Sequence, residues 1–435
     1  MEKYIEMNGR LCSCGKVHSF DGKVITGNGA VAGIAQVLAD WGVKKVFLLS
    51  DRNTEAAAGA QVKAIVSGSG IGCSSYCFDW DTVEPDEKSV GAAIMHYDSS
   101  CEAIIGIGSG VINDIGKILS VVSGKPYIIV ATAPSMDGYA SASSSMTRDG
   151  LKISLPTRSA DVIIGDTQIL CQAPLHMMKS GLGDMLAKYV SICEWRISNL
   201  ITGEYYCEEI ASLIRNALKR CTDHAAGLLK REEAAVQAVF EGLVIGGVAM
   251  NYAGLSRPAS GVEHYISHVL DMRAVEFGTP ADLHGIQCAI GTRIAVQLYE
   301  KLRGIVPDRE KALAYAAQFV YADWAQVLRG LLGKGAESMI ALEEKERKYD
   351  RGLHAQRLEI ILENWDQILE ILDQELPDAQ ELDALLDAID APKTLSEIGI
   401  SEAQLPLIFR ATKDIRDKYV LSRLAWDLGI LEELI

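Results

Sequence analysis

Between residues 23 and 166, short apolar runs alternate with amphipathic stretches. In KVITGNGAVAGIAQVLADWGVKKVFLLSDRNT, Ala, Val, Ile and Leu recur at helical spacing, and Gly42 stands where a helix would stop. VFLLS follows as a short, unbroken apolar run. The pattern predicts a loop, a helix over 30–42 and a strand over 44–50. QVKAIVSGSGIGCSSYCF predicts one more helix and strand. CEAIIGIGSGVINDIGKILSVVSGKPYIIVAT predicts strand 103–107, a glycine-rich turn, helix 111–122 and strand 127–131. Strands that are apolar throughout and joined through helices need cover on both faces, which is the condition of a doubly wound parallel sheet. Such sheets bind ligands at the carboxyl ends of their strands.

Beyond about residue 166 the strand pattern stops. Helical spacing then predicts helices over 173–203, 205–222, 227–255, 260–273, 282–302, 309–332, 356–374, 378–390 and 400–430. The expected organisation is an α/β amino-terminal domain over 1–168 and an all-α carboxyl-terminal domain over 169–435.

Three strand ends carry candidate chemistry. GIGSGVINDIGK places Gly106, Gly108 and Gly110 between a strand and a helix. There the backbone can approach a pyrophosphate, and the first N–H groups of the helix face it; the same glycines also serve plain tight turns. TAPSMDGYASASSSM, residues 132–146, is rich in hydroxyls and carries Asp137, which suits a ribose or polyol but equally describes a surface loop. Asp51, in LLSDRNT, can accept from ribose hydroxyls or cap a helix.

The helical half supplies GLGDMLAKY with Asp184, SGVEHYISHVLD with His264 and His268, and ADLHGIQCAIGT with His284. His264 and His268 lie about 40° apart around a helix and share a face. The order E-H-x-x-x-H is not the H-E-x-x-H of zinc proteases. Each histidine alone is equally a satisfied core residue. Three of the eight histidines within residues 264–284, broken by a Gly-Thr-Pro turn, point instead to a shared site. A carboxylate with two neutral imidazoles suits a divalent metal that keeps positions open for substrate.

Net charge is −16, from 42 basic and 58 acidic residues, and no Lys/Arg run appears. That balance excludes nucleic acid as the expected partner and opposes adsorption to anionic membranes. No signal or membrane-inserting segment is expected, which places the chain in the cytoplasm. Ten scattered cysteines are then reduced thiols by default. One local cluster, CSCGKVH, holds Cys12, Cys14 and His18. A structural zinc site needs four ligands, so this stretch is expected to be a surface turn.

The motifs GIGSGVINDIGK, TAPSMDGYAS, GLGDMLAKY, SGVEHYISH and LHGIQCAIGT, in that order, resemble the iron-containing alcohol dehydrogenase and dehydroquinate synthase superfamily. Within it the chain is most similar to the sn-glycerol-1-phosphate dehydrogenases, in particular their bacterial, AraM-like branch. The resemblance implies a dehydroquinate synthase-like fold. It implies reversible, NAD- or NADP-dependent reduction of dihydroxyacetone phosphate to sn-glycerol 1-phosphate for glycerophospholipid synthesis. A glycerol or diol dehydrogenase and a dehydroquinate synthase-like lyase are the alternatives on the same scaffold. By the same resemblance Asp184, His264 and His284 hold one divalent ion, zinc or nickel, with iron a third candidate. His268 then contacts substrate beside Asp137 and Asp184, and Asp137 and His268 are the catalytic candidates. The nicotinamide cofactor lies along Asp51, Gly108, Gly110, Val111, Ile112, Asn113, Asp114, Thr132, Ala133, Pro134, Ser135 and Ser141. Ser109 stands where the family's turn carries its middle glycine. The implied partner is a small phosphorylated triose or glycerol, and the implied assembly a homodimer or larger homo-oligomer.

Overall fold

A computed structural model describes residues 7–435; the first six positions, part of the stretch read as carrying no signal segment, lie outside it. The described chain divides into two compact units, one of residues up to Met185 with Ser212–Gly254, the other of Leu186–Ala211 with Leu255–Ile435.

The first unit is built on six strands: β1 (Lys23–Gly27), β2 (Lys45–Asp51), β3 (Gly72–Phe78), β4 (Ala103–Gly108), β5 (Tyr127–Ala131) and β8 (Val162–Asp166). Their order across the sheet is β1-β8-β5-β4-β2-β3, and every pair is parallel. β4, β5 and β8 are buried at every residue, which is why their sequences AIIGIG, YIIVA and VIIGD are apolar without alternation. Helices α1 (Gly33–Trp41), α2 (Ala60–Gly68), α3 (Glu87–His96) and α4 (Gly110–Ser123) connect the strands. Ile34, Val37 and Leu38 of α1 pack with Val46, Leu48, Ile105 and Ile128 of the strands in one apolar core.

Two glycines of the GIGSGVINDIGK stretch serve packing. A Cβ on Gly106 or Gly116 would meet the Tyr127 ring system at 2.3 or 2.4 Å. Glycine at both positions therefore lets α4 lie over β5 with a tyrosine between.

Several elements differ from the expectations. The stretch 23–27, expected as loop, is edge strand β1, too short and too exposed to show a period. The serine-rich stretch expected as loop runs into an antiparallel hairpin, β6 (Ser143–Arg148) with β7 (Leu151–Pro156). Asp149 and Gly150 turn it, both at positive φ (53° and 73°), which is the left-handed pair a two-residue hairpin requires.

Helices α5 (Leu175–Leu186), α6 (Lys188–Thr202), α7 (Glu208–His224) and α8 (Glu233–Ala253) follow. The two units cut across the linear division at 168/169, because 212–254 groups with the sheet-bearing part. In that unit Phe240 of α8 packs so closely on β8 that a Cβ on Gly165 would lie 2.0 Å from its ring. Helix α8 is long and apolar enough to cross a membrane by length and composition, but most of it is buried within the protein.

The second unit is helical. It contains α6, α9 (Val262–Phe277) and α10 (His284–Arg303), then α11 (Arg309–Ala317), α12 (Tyr321–Leu332), α13 (Ala336–Glu346), α14 (Arg351–Glu363), α15 (Trp365–Glu375), α16 (Ala379–Ala388), α17 (Leu405–Thr412) and α18 (Leu421–Asp427). The predicted helices 309–332 and 400–430 are each divided in two.

Candidate functional site

In the first unit the carboxyl ends of β2, β4 and β5 bring the expected cofactor residues to one sheet edge. The register pairs Gly108 with Ala131, and the Thr132 N–H donates to the Gly108 carbonyl at 3.0 Å. Helix α4 starts at Gly110 with no side chain capping it. The N–H groups of Gly110, Val111 and Ile112 thus open its positive end. Gly108 is required for this approach, since a Cβ there would meet Ile112 at 2.5 Å.

The loop after β5 folds over this helix start. Ser109 and Ser135 share a hydroxyl hydrogen bond. The Tyr139 hydroxyl donates to the Ala133 carbonyl at 2.6 Å, and burial pushes its pKa upward. Asn113 Nδ2 donates to the Gly138 carbonyl at 3.1 Å. The buried Lys117 ammonium pairs with Asp114 at 2.9 Å, and Ser141 Oγ lies 3.0 Å from Ser143 Oγ. Asp51 stands at the end of β2 as expected, and its Oδ1 caps the following turn by accepting from the Asn53 and Thr54 N–H groups.

Asp184 is fully buried on α5. Its Oδ2 accepts the backbone N–H of Asp137 at 2.9 Å. Gly181, one turn earlier, makes this possible: a Cβ there would fall 1.8 Å from the Pro134 carbonyl oxygen. The Ser180 hydroxyl adds a bond to the Ser135 carbonyl at 2.9 Å. Pro134, Ser135 and Asp137 of the loop are therefore held against α5 through their backbone atoms.

In the second unit the three histidines come together. The rings of His264 and His284 have centroids 5.0 Å apart, and those of His268 and His284 5.9 Å. Helices α9 and α10 pack closely because a Cβ on Gly291 would lie 2.6 Å from the Glu263 carbonyl oxygen. Helix α9 ends at Gly278, left-handed at φ 64°, and Pro280 in the following turn precedes a fresh helix start at His284. His264 is buried and His284 half-buried.

Sequence reasoning missed two residues of this cluster. Glu263 lies at the start of α9, where its Oε1 accepts from the Gly261 N–H at 2.7 Å and from His264 Nδ1 at 2.8 Å. The proton on Nδ1 leaves the Nε2 lone pair of His264 for a ligand, the tautomer a metal-bound imidazole needs. Ser267 Oγ lies 2.9 Å from His284 Nδ1. Cys288 is the second missed residue; its spacing of four from His284 on a helix was the available signal. Its Sγ lies 3.6 Å from His284 Nε2. Burial alone would raise the Cys288 thiol pKa, but the neighbouring His264 and His284 hold it below its ordinary value.

One ligand atom from each of His264, His284 and Cys288 lies within 4.8 Å of the others. In a tetrahedral zinc site, with Zn–S about 2.3 Å and Zn–N about 2.0 Å, adjacent sulfur and nitrogen ligands stand about 3.5 Å apart. The observed cluster matches that spacing. Imidazole and thiolate donors with a carboxylate orienting one ring suit zinc or nickel better than a hard cation.

Comparison with known proteins fits these features. Residues 25–174 match the iron-containing alcohol dehydrogenase family. The chain is 31% identical over 294 residues to a glycerol-1-phosphate dehydrogenase [NAD(P)+] of Halalkalibacterium halodurans, covering 66% of this chain and 74% of that one. It is 34% identical over 282 residues to the enzyme of the same name from Methanothrix thermoacetophila, covering 64% and 77%. In fold it is similar to a probable glycerol dehydrogenase from Sinorhizobium meliloti, at 17% identity, a TM-score of 0.61, and 96% and 98% of the two chains covered. With its parallel sheet, helical second half and ordered motifs, the chain belongs to the glycerol-1-phosphate dehydrogenase family of oxidoreductases, within the iron-containing alcohol dehydrogenases.

Proposed function

We propose that the protein reversibly reduces dihydroxyacetone phosphate to sn-glycerol 1-phosphate with NADH or NADPH, supplying a glycerophosphate backbone for lipid synthesis. The relatives' names support the reaction. The observation that carries the metal dependence is the Glu263–His264 pair facing His284 and Cys288 in the second unit.

Asp184, His264 and His284 would hold one divalent ion. When bound, such an ion supplies Lewis-acid polarisation of a carbonyl and stabilises the charge that develops on its oxygen. The nicotinamide supplies the hydride. The chain's own groups bind and orient. The open helix end at Gly110–Ile112 offers N–H groups to a pyrophosphate, and Ser109, Thr132, Ser135 and Ser141 offer hydroxyls beside it. Asp184 holds Asp137 in place through its backbone N–H. Asp137 and His268, the latter one turn along α9 from His264, are assigned to the substrate hydroxyls.

The test mixes the protein with dihydroxyacetone phosphate, NADH and zinc or nickel, and follows loss of NADH absorbance. Asp184→Asn and His264→Ala are expected to abolish metal binding and turnover together. Full activity in a metal-stripped variant refutes the metal set. Oxidation of glycerol in preference to glycerol 1-phosphate refutes the phosphorylated substrate.

A further inference from the structure

We propose that the amino-terminal turn CSCGKVH is a second, structural metal site, in which Cys12, Cys14 and His18 bind a zinc ion. These residues are a separate set from the donors assigned to the reaction.

The turn is a tight hairpin. Leu11 and Val17 form an antiparallel bridge. The Cys12 N–H donates to the Lys16 carbonyl at 2.8 Å, and the Gly15 N–H donates back to the Cys12 carbonyl at 2.9 Å. Gly15, left-handed at φ 83°, allows this reversal without strain. Outside it, the Gly9 N–H donates to the His18 carbonyl at 2.7 Å, and Asn8 makes a two-way pair with the Phe20 backbone.

The side chains are sorted against the usual rule. Leu11 and Val17 are 74% and 60% exposed, whereas Cys12 and His18 are 7% and 1% exposed. The turn buries Cys12 and His18, leaves Cys14 half-buried, and shows its apolar side chains to solvent. A free cysteine is often buried on its own account, so the weight falls on His18, an imidazole buried with its Nε2 beside Cys14 Sγ.

The donor geometry agrees. One ligand atom from each of Cys12, Cys14 and His18 lies within 4.8 Å of the others. Cys14 Sγ lies 3.4 Å from His18 Nε2, against about 3.5 Å for adjacent sulfur and nitrogen in tetrahedral zinc. His18 Nδ1 lies 2.8 Å from the Tyr252 carbonyl. A carbonyl only accepts, so Nδ1 carries the proton and Nε2 presents its lone pair on the side of Cys14. This is the arrangement that outer hydrogen bonds give metal-ligating histidines. Two thiolates and an imidazole favour zinc over magnesium or calcium. A fourth tetrahedral position remains for water or a further thiol.

The test uses the full chain in a His264→Ala/His284→Ala/Cys288→Ala background, which removes the sulfur and imidazole donors of the other cluster. After loading and gel filtration, this background is expected to retain one zinc per chain, and its cobalt form to show thiolate-to-metal charge-transfer absorption. Adding Cys14→Ser or His18→Ala is expected to lose that equivalent and those bands. In the unmutated protein, zinc is expected to slow alkylation of Cys14, read by peptide mass spectrometry, so the proposal is testable even if a variant misfolds. Equal metal content with and without Cys14, or equal alkylation of Cys14 in metal-free and zinc-loaded protein, overturns it.

Discussion

Glu263→Gln isolates the electronic role of a residue beside a proposed ligand. Glu263 Oε1 accepts two N–H groups, from Gly261 and from His264 Nδ1. Glutamine keeps one carbonyl oxygen and can keep both bonds. Its amide then replaces Oε2, which lies beside Gly261 as Glu194 Oε2 does, since a Cβ there would stand 2.7 and 2.6 Å from the two. Burial and the Glu263 charge together push the Glu194 carboxyl pKa upward, so an amide facing Glu194 relieves a repulsion. The fold should therefore tolerate the change. What is lost is the negative charge that raises the basicity of His264, and a charge-assisted hydrogen bond is roughly twice as strong as a neutral one. Removing such an outer-shell carboxylate weakens metal affinity about 10–100-fold, or roughly 1.4–2.7 kcal/mol. Competition with a chromophoric chelator measures the affinity of Glu263→Gln against wild type. Glu263→Ala is the poorer probe, since two buried N–H groups lose their acceptor at about 1–3 kcal/mol each. An affinity for zinc and nickel unchanged within twofold in Glu263→Gln, while His264→Ala loses the metal, would show that the carboxylate does not tune the ligand.

Other consequences follow from single contacts. Gly181→Ala drives a Cβ into the Pro134 carbonyl, and overpacking of this kind costs about 1–3 kcal/mol; urea denaturation should show that loss, with turnover falling as Asp184 parts from Asp137. Asp51→Asn keeps the cap on Asn53 and Thr54 but removes the charge, so use of NADP relative to NAD should rise if Asp51 meets the ribose; an unchanged ratio of kcat/KM values leaves it a cap only. Lys418 is half-buried, and desolvation followed by the positive charge of Arg257 lowers its pKa to about 7, with Glu263, Glu204 and Asp417 pulling the other way. Because the folded value is depressed, its stability contribution is present above the ordinary lysine value and is lost as pH falls towards 7. Lys418→Met should remove that dependence, a slope of up to about 1.4 kcal/mol per pH unit between pH 10 and 7. Parallel pH profiles of wild type and variant in denaturant would count against the desolvated ammonium.

Much of this architecture is legible along the chain because it is local. The βα units, strand β5 and helix α4 announce themselves through unbroken apolar runs, a period of 3.6 and glycine at fixed positions. The histidine triplet is likewise visible as spacing. The Asp149-Gly150 hairpin was written in the sequence too, but the serines of β6 masked its alternation. Other features depend on residues far apart in the chain. Strand order, the grouping of 212–254 with the sheet, and the division of long helical patterns follow from how apolar faces find one another. Glu263 reads as a first-turn glutamate until its carboxylate is seen on His264, and Cys288 as a core thiol until α9 and α10 pack. Cys12, Cys14 and His18 read as a surface turn until burial shows Cys12 and His18 turned inward, with Cys14 Sγ beside the imidazole. Periodicity reports what each residue does within a few positions of itself. Which donors converge is set by packing between helices and turns, and that only the tertiary structure decides.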